Sequence, residues 1–468
     1  MRSMPLCNLR APTTLRRDRG FTLIELMISM TISLVILAAL VGMFVNTSRN
    51  NNEMQKMNGV IENGRFSVQL LQNDLAHAGY WGGYIPQFDD LSSTAVPADV
   101  PAVVPDICAA YNTWNQPYKS ALLGIPVQAS EDLPACLAAL PKRADTDVLV
   151  VRHAETCLPG TPNCDADVAG RLYLQSSSCK AERNAGTVQA ATPNTVTLSS
   201  NASDTDNAYV GLTIRTAGQV NAISAYDGST KVATLSTLWT TVPPLDSSYS
   251  FEYVLGTSAF PLYQRDCVGT GTPATLPITG GTLAEKRWLV SNIYYVHDYA
   301  HPDRAGEVIP TLVRSQLNTV GGTLEHQAPV PLIDGIEAFR VALGIDNISD
   351  AATPVDYTDA IDWFDSTKSS PMNRGDGQPD EFVRCTTALP CTAAQLTDVV
   401  AVKLYLLARS RDKTPGHVDD RTYCLGEYDS DGACPIENTV AAANDDYKRH
   451  VFTTSVRLIN ISARRETP

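Results

Sequence analysis

The sequence predicts an α+β protein in which a long N-terminal membrane-spanning helix packs on an antiparallel β-sheet head, with a β-rich, disulfide-containing insertion. Three observations predict this arrangement. An apolar run occupies residues 21–45, a helical stripe of apolar residues follows it, and alternating apolar and polar residues fill much of the C-terminal third. Helices and strands bury faces of different period, about 3.6 and 2 residues, so each pattern predicts its own element.

The apolar run from 21 to 45 contains one ionisable side chain, that of Glu25. At about 1.5 Å per residue, a helix of this length spans the roughly 30 Å hydrocarbon core of a bilayer. A secretory signal peptide would place a small-residue cleavage site after its apolar core, whereas Gly20 precedes this one. Three arginines at 16–19 come before the run, and the next basic residue is Arg49. The positive-inside bias therefore predicts a cytoplasmic N-terminus and an exported remainder.

Glu25 is an anomaly in this run, because an acidic side chain in a membrane segment costs a few kcal/mol and needs a partner. If the chain is cut between Gly20 and Phe21, Glu25 enters the first turn of the helix. There the helix dipole favours its charge, and a free α-amino group can meet it. A carboxylate this close to the cytoplasmic end could also simply reach interfacial water. Glu25 therefore predicts either a charge contact with a free α-amino group or a solvated helix end.

Helical periodicity continues beyond the membrane run. Seven apolar residues recur at spacings of three, four or seven: Met54, Met57, Ile61, Val68, Leu71, Leu75 and Ala78. This pattern predicts an amphipathic helix whose stripe packs on a soluble head. Gly79, followed by glycines at 82 and 83, predicts the end of that helix.

Beyond position 83 the patterns predict mostly strands. The predicted strands lie at 147–152, 170–175, 195–199, 250–255, 289–299, 308–314, 336–345, 398–410 and 450–461. The last three alternate most regularly, and their predicted inward residues are Phe339, Val341, Leu343 and Ile345; Val400, Val402, Leu404 and Leu406; and Phe452, Val456 and Leu458. These three strands predict an antiparallel sheet that packs on the helix stripe.

Eleven cysteines divide into Cys7, before the membrane run, and ten beyond it. The ten are Cys108, Cys136, Cys157, Cys164, Cys179, Cys267, Cys385, Cys391, Cys424 and Cys434. An even number on the exported side predicts disulfides and an oxidising compartment, the periplasm or the cell surface. The short spacings 157/164, 385/391 and 424/434 suggest local pairs, although spacing leaves the connectivity open.

Charge disfavours nucleic acid as a partner of the exported part. The chain has a formal charge of −14, and its first 20 residues hold five arginines and one aspartate, a net +4, which leaves −18 for the remainder. A surface of this sign repels phosphate backbones, so direct nucleic-acid binding is not expected.

The sequence carries no motif for catalysis. It has no GxSxG elbow, no HExxH pair and no GxxxxGK[ST] phosphate loop, so we do not expect an enzyme. Two Asx-rich turns, one with Asp376 and Asp380 and one with Asp429 and Asp431, carry oxygen side chains of the type that calcium prefers. Solvated Asx turns have the same composition, so no cofactor is required and calcium is an expectation to be tested.

The residues around the predicted cleavage point resemble the processing site of type IV pilin-like proteins: Gly20-Phe21-Thr22-Leu23-Ile24-Glu25-Leu26-Met27. The resemblance implies that a prepilin peptidase cuts after Gly20 and methylates the new amino group of Phe21. It also implies that Glu25 aligns with the N-terminus of a neighbouring subunit during assembly.

A second resemblance narrows the family. Residues 62–83 are similar to the minor pilin PilW family at Arg65, Asp74-Leu75 and Ala78-Gly79-Tyr80. Residues 332–346, 399–410 and 449–460 resemble the C-terminal module of the same family. The resulting domain prediction is a leader at 1–20, a transmembrane and filament-core helix at 21–46, a helix continuing onto the head at 47–83, a variable β-rich insertion at 84–285 and a C-terminal antiparallel β module at 286–468.

The resemblance implies a minor pilin that primes the assembly of type IV pili and supports pilus-dependent motility and adhesion. The expected partners are the prepilin peptidase, other minor pilins, the major pilin and a tip adhesin. The expected location is the inner membrane with a periplasmic head before assembly, and the pilus or cell surface afterwards. Two alternatives remain open: a type II secretion pseudopilin, which shares the N-terminal motif, and a membrane-anchored surface adhesin or lectin-like binding protein.

Overall fold

The computed structural model describes residues 20, 22–91, 96–176, 185–200, 202–260, 262, 283–299, 308–363 and 370–466. The chain divides into two compact units, Met1–Met57 and Asn58–Pro468. Helix α1, Leu23–His77, contributes residues to both units.

The first unit is described by the N-terminal part of α1. Its large apolar side chains between Leu23 and Val45 are all at least 42% exposed. Among the described residues, α1 is the one helix that is long and apolar enough to cross a membrane. Exposed apolar surface of this extent has to be covered by lipid or by other subunits.

The second unit, the head, contains the rest of α1 and the remaining elements. The other helices are α2 Gln116–Gly124, α3 Ala393–Thr397 and α4 Ile459–Arg465, with short 3-10 turns at Gln87–Asp89, Tyr111–Thr113, Ala135–Leu137 and Ile436–Asn438. The strands are β1 Val127–Ser130, β2 Val148–Ala154, β3 Tyr173–Ser176, β4 Ala185–Thr187, β5 Ala190–Thr192, β6 Thr195–Thr197, β7 Thr213–Thr216, β8 Gln219–Asp227, β9 Val232–Leu235, β10 Ser248–Phe251, β11 Tyr253–Gly256, β12 Lys286–His297, β13 Thr311–Val320, β14 Thr323–His326, β15 Val330–Asp334, β16 Ile336–Ile345, β17 Glu381–Val383, β18 Val399–Arg409, β19 Tyr423–Cys424, β20 Thr439–Val440 and β21 Arg449–Arg457.

These strands form three principal sheets, in which every pair is antiparallel. An eight-stranded sheet runs β1-β2-β12-β13-β14, with β3 on β12, β11 on β3 and β15 on β13. A four-stranded sheet runs β17-β16-β18-β21, and a seven-stranded sheet runs β4-β10-β7-β8-β9-β6-β5. Strands β19 and β20 form a separate pair. The α+β fold class and the antiparallel pairing predicted from the sequence are therefore confirmed.

The head part of α1 packs on the eight-stranded and four-stranded sheets in one shared core. Its buried residues are Val60, Gly64, Ser67, Leu71 and Leu75. The apolar stripe was thus predicted correctly at its C-terminal end and wrongly at its N-terminal end, where Met54 and Ile61 are 62% and 37% exposed. The buried face includes small residues because strand β21 comes close to the helix there.

Gly64 is the point of closest approach between helix and sheet. A Cβ atom at this position would lie 2.0 Å from the Phe452 ring of β21, so only glycine leaves room for that ring. On either side the contact becomes polar: Gln72 donates to Thr454 Oγ1 at 2.6 Å, and Asn63 donates to the Asp334 carbonyl at 2.9 Å. Helix and sheets are therefore held by both shape and hydrogen bonds.

The C-terminal strands match their predictions most closely. Strand β16 has the predicted bounds, β18 differs by one residue at each end, and all eight predicted inward residues of these two strands are buried. The third predicted strand ends four residues early, because the chain turns into α4 after Leu458. Leu458 is buried although it lies beyond the end of β21, so its apolar side chain fits the alternating pattern that predicted a longer strand.

The seven-stranded sheet forms a module with its own apolar core, centred on Val196, Ile214, Ile223 and Ala233. The chain leaves the eight-stranded sheet through β3 and returns through β11, and these two strands pair with Ser176 opposite Tyr253. Strands from both sides of position 285 share the eight-stranded sheet, since β2 and β3 pair with β12. The predicted domain boundaries remain predictions.

Candidate assembly site

Helix α1 begins in a capping box formed by Thr22 and Glu25. The Thr22 hydroxyl accepts a hydrogen bond from the Glu25 backbone N–H at 3.3 Å, and Glu25 Oε2 accepts from the Thr22 backbone N–H at 3.0 Å and from its hydroxyl at 2.8 Å. The Leu26 backbone N–H donates to the Thr22 carbonyl at 3.1 Å. Such reciprocal bonds satisfy donors that lack partners inside a helix. The Thr-x-x-Glu spacing therefore places the helix start just after Gly20.

The Glu25 carboxylate lies on an otherwise apolar helix surface and is exposed. Its capping bonds come from the neutral backbone and hydroxyl of Thr22, so they leave its charge uncompensated. A second donor with a positive charge could still approach Glu25 from outside the helix. This geometry is suited to an intermolecular ion pair.

Of the two residues at the predicted cleavage point, Gly20 is among the described residues and Phe21 is not. Gly20 is exposed, and a Cβ atom there would meet nothing within 4 Å.

Four disulfides join eight of the ten exported cysteines: Cys108–Cys136, Cys157–Cys164, Cys385–Cys391 and Cys424–Cys434. The last three are the local pairs that the spacing suggested. The first joins cysteines 28 residues apart, which the spacing did not indicate. Cys179 and Cys267 lie outside the described residues. Each bond restricts the unfolded chain and so stabilises the loop that it closes.

The two turns proposed for calcium use their carboxylates to fix the backbone. Asp380 Oδ2 accepts from two backbone N–H groups, those of Asn347 and Ile348, at 2.9 and 2.8 Å. Asp376 accepts from the N–H of Gln378 at 2.8 Å.

In the second turn, Asp429 accepts from the backbone N–H groups of Asp431 and Ala433 at 3.0 and 2.7 Å. Across the described ranges, no three His, Cys, Asp or Glu side chains converge so as to hold a metal ion. Calcium binding stays a prediction, and calorimetry on the calcium-free protein would test it.

A buried polar cluster that the sequence did not indicate joins α1 to the eight-stranded sheet. The Asp74 carboxylate accepts from Tyr294 Oη at 2.9 Å and from Asn292 Nδ2 at 3.1 Å, and His153 Nε2 lies 3.0 Å from it. Burial alone would lower the pKa of His153, but the hydrogen bond and charge of Asp74 outweigh it and raise that pKa above its usual value. Burial and Asp74 also raise the pKa of Tyr294. Asp74 is one of the positions that carry the resemblance to PilW.

A second cluster surrounds Arg465, which is 2% exposed. Its guanidinium lies 3.2 Å from a carboxylate oxygen of each of Asp89, Asp346 and Asp398. Burial raises the pKa of Asp398 to about 6 even though Arg465 pulls it down. The partners are up to 376 residues apart in sequence, so no local signal could have identified this cluster.

Comparison with known proteins gives matches at both ends of the chain. The family model of the type IV pilus-assembly protein W matches residues 293–460, and that of the prokaryotic N-terminal methylation motif matches residues 15–41. A type IV-like pilin of known structure from Thermus thermophilus is 17% identical, with a TM-score of 0.18, over 37% of this chain and 69% of that chain. A superposition at that score says nothing about the topology of the head. No curated protein sequence matches the chain.

The methylation motif covers the capping box and the start of the apolar helix, and the other match covers most of β12 through β21. The motif implies interaction with a prepilin peptidase and with other pilins. With the apolar helix, it fits an inner-membrane-anchored protein that is later assembled into pili. The structural role of this family points to a non-enzymatic protein. Together the two matches support a PilW-like type IV pilin of the minor pilin class.

Proposed function

We propose that this minor pilin primes the assembly of type IV pili and thereby supports pilus-dependent motility and adhesion. The observation that carries the proposal is the Glu25 carboxylate, the one ionisable group on an exposed apolar helix surface from Leu23 to Val45. Apolar surface on all sides of a helix has to be enclosed, and the charge within it then requires a partner. A filament of packed helices supplies both.

Processing creates the partner. Cleavage after Gly20 would free the amino group of Phe21, four residues before Glu25. Methylated or not, that amine carries a positive charge, which a neighbouring subunit can place against Glu25. In a low-dielectric filament core such a pair is stabilised far more than in water, provided that both charges are desolvated together.

The outward face of α1 in the head offers a surface for the other pilins. Phe66 is 55% exposed and lies beside Ile61, with Glu62 and Arg65 on the same face of the helix. An apolar centre with a charged rim is the usual composition of a protein–protein interface.

The test separates the two roles of Glu25, charge and cap. In Glu25→Gln the amide oxygen still accepts from Thr22 and keeps the capping box, while the charge is removed. We expect this variant to be cleaved and methylated normally but to be absent from sheared pili, and the cells to make few pili. The matched control is Glu437→Gln, the same change on an exposed glutamate of the head, in the 3-10 turn Ile436–Asn438.

Three outcomes would contradict the proposal. Normal piliation with Glu25→Gln would show that the charge is dispensable. An N-terminus that is not Phe21, read by mass spectrometry of the wild-type protein, would exclude processing at Gly20. Unchanged pili but lost protein secretion in a strain lacking the chain would place it among type II secretion pseudopilins instead.

A further inference from the structure

A groove of about 560 Å³ runs along strand β14, at one edge of the eight-stranded sheet. Residues 322–326, which are β14 and the end of the turn before it, form one wall, and residues 107–112 form the other. The groove is half open to solvent. Its volume lies within the roughly 300–1,000 Å³ of ligand sites in proteins. It contains none of the residues assigned to assembly.

The backbone of β14 is paired on one side only. Its one partner among the described strands is β13, in unbroken register. Just beyond the strand, the Gln327 N–H donates to the Gln316 carbonyl directly opposite, at 2.9 Å. Because bonded pairs alternate along an antiparallel ladder, Leu324 and His326 direct their N–H and C=O groups away from β13, towards the groove. Within the described ranges, these backbone groups have no partner.

The wall opposite β14 is fixed by contacts of its own. The Cys108–Cys136 disulfide ties it to a second loop. Trp114 Nε1 donates to the Ala109 carbonyl at 3.0 Å, and the Trp114 and Tyr111 rings lie 5.3 Å apart. An ordinary sheet edge faces bulk water, whereas this edge faces an ordered wall. A preformed groove loses little conformational entropy on binding, so it favours a ligand that matches the edge.

Unpaired N–H and C=O groups on alternate residues match the backbone of an extended peptide, which can add a strand to a sheet edge. The side chains of β14 indicate the sequence of that peptide, because neighbours across two strands lie on the same face. Leu324 packs in the cluster that contains Tyr111 and buried Leu317, so an apolar residue fits opposite it. Glu325 is exposed on the other face, so a basic residue fits there.

Charge also distinguishes a foreign partner from a second copy of this chain. The part of the chain beyond residue 20 carries a formal charge of −18. Two such surfaces repel each other, whereas a basic segment is attracted. We propose that the groove binds an extended segment of another protein, with alternating apolar and basic side chains, as an added strand on β14. The head would thereby hold a second protein at a site separate from the assembly helix.

The experiment measures fluorescence anisotropy of labelled short peptides with the full-length processed chain in micelles of a neutral detergent. Three peptides alternate valine with lysine, threonine or glutamate, and a fourth alternates serine with lysine. We expect the valine–lysine peptide to bind most tightly and the valine–glutamate and serine–lysine peptides most weakly. A benzophenone-labelled valine–lysine peptide should cross-link to residues 107–112 or 322–326, as read by mass spectrometry.

Variants of Leu324 test the backbone bonds. Leu324→Pro and Leu324→Ala both lose the leucine side chain, but only proline also loses the N–H that faces the groove. The bonds to β13 involve the neighbouring residues, and proline is tolerated at sheet edges. We expect Leu324→Pro to bind the valine–lysine peptide roughly threefold to tenfold more weakly than Leu324→Ala does. Near-ultraviolet circular dichroism establishes that each variant is folded.

A charge reversal tests the peptide preference and serves if Leu324→Pro does not fold. Glu325→Lys should weaken binding of the valine–lysine peptide roughly twofold to fivefold and strengthen binding of the valine–glutamate peptide by a similar factor. The matched control is Glu437→Lys, the same change on an exposed glutamate outside the groove. It should leave both affinities unchanged.

Four results would overturn the inference: no binding of any peptide, equal weakening by Leu324→Pro and Leu324→Ala, equal effects of Glu325→Lys and Glu437→Lys, or cross-links confined to other parts of the chain. Dimerisation of the processed chain that Leu324→Pro abolishes would also overturn it, because the occupant would then be a second copy. Since the assay needs no filament, a failure of peptide binding is distinguishable from a failure of assembly, which is read from pili of Glu25→Gln cells.

Discussion

Two glycines in the same helix allow the contact between α1 and the sheet to be tested with a single kind of substitution. At Gly64 an added Cβ would lie 2.0–2.4 Å from three atoms of the Phe452 ring, whereas at Gly59 it would meet nothing within 4 Å. Gly64→Ala and Gly59→Ala therefore change helix propensity equally but differ in packing.

The magnitudes predict opposite signs. Alanine favours a helix interior over glycine by about 1 kcal/mol, so Gly59→Ala should stabilise the head by up to about 1 kcal/mol. At Gly64 the same gain is set against overpacking, which costs about 1–3 kcal/mol because the ring must leave its position on the helix. We expect Gly64→Ala to be destabilising by up to about 2 kcal/mol.

Urea unfolding of the full chain in micelles, followed by tryptophan fluorescence, measures both effects. All five tryptophans lie at position 81 or beyond, so the signal reports on the head. A double-mutant cycle with Phe452→Ala isolates the contact, since in that background Gly64→Ala should become stabilising. Equal stabilisation by both alanine variants with Phe452 intact would refute the packing argument.

Two further predictions concern the buried polar clusters. Arg465→Met should destabilise the head by about 3–5 kcal/mol, because it removes the arginine from the buried carboxylates of Asp346 and Asp398, while Asp89 keeps Arg464 at 3.7 Å. Arg457→Met, at an exposed pair with Glu466, should change stability by less than about 1 kcal/mol in the same urea titration. The raised pKa of His153 means that its pair with Asp74 stabilises the head below about pH 6.5 and that this contribution is lost as the pH rises through the folded-state pKa. The melting temperature should therefore fall over that interval, and His153→Gln should remove the step; a pH profile identical in both proteins would contradict this assignment.

The sequence predicts the fold best where a local pattern decides the structure. Strand β16 was predicted with its bounds because its alternating residues are apolar on a buried face. Strands β7 and β8 were missed because Thr, Asn, Gln and Ser occupy many of their positions and leave little alternation. The prediction for the N-terminal half of the helix stripe was wrong for another reason. The buried face of the helix there is the one that carries Gly64, against which the Phe452 ring packs, and a pattern of apolar residues does not mark a glycine.

The candidate site also combines a feature that a local sequence pattern predicts with features that only tertiary contacts create. The Thr22–Glu25 capping box is encoded by a spacing of three residues and could have been read directly. The clusters around Asp74 and Arg465 join residues from 67 positions apart, for Asp398 and Arg465, to 376 positions apart, for Asp89 and Arg465, and only the folded chain brings them together.

The path of the chain through β3 and β11 has a consequence for how this subunit diversifies. Since Ser176 and Tyr253 face each other across an antiparallel pair, the seven-stranded module is topologically the loop of a hairpin whose two strands belong to the pilin head. A hairpin of that kind needs only a two-residue turn to close. The module can therefore change in length without altering the register of the two strands that carry it, provided that its contacts with the head at Gln116 and Asp99 are kept.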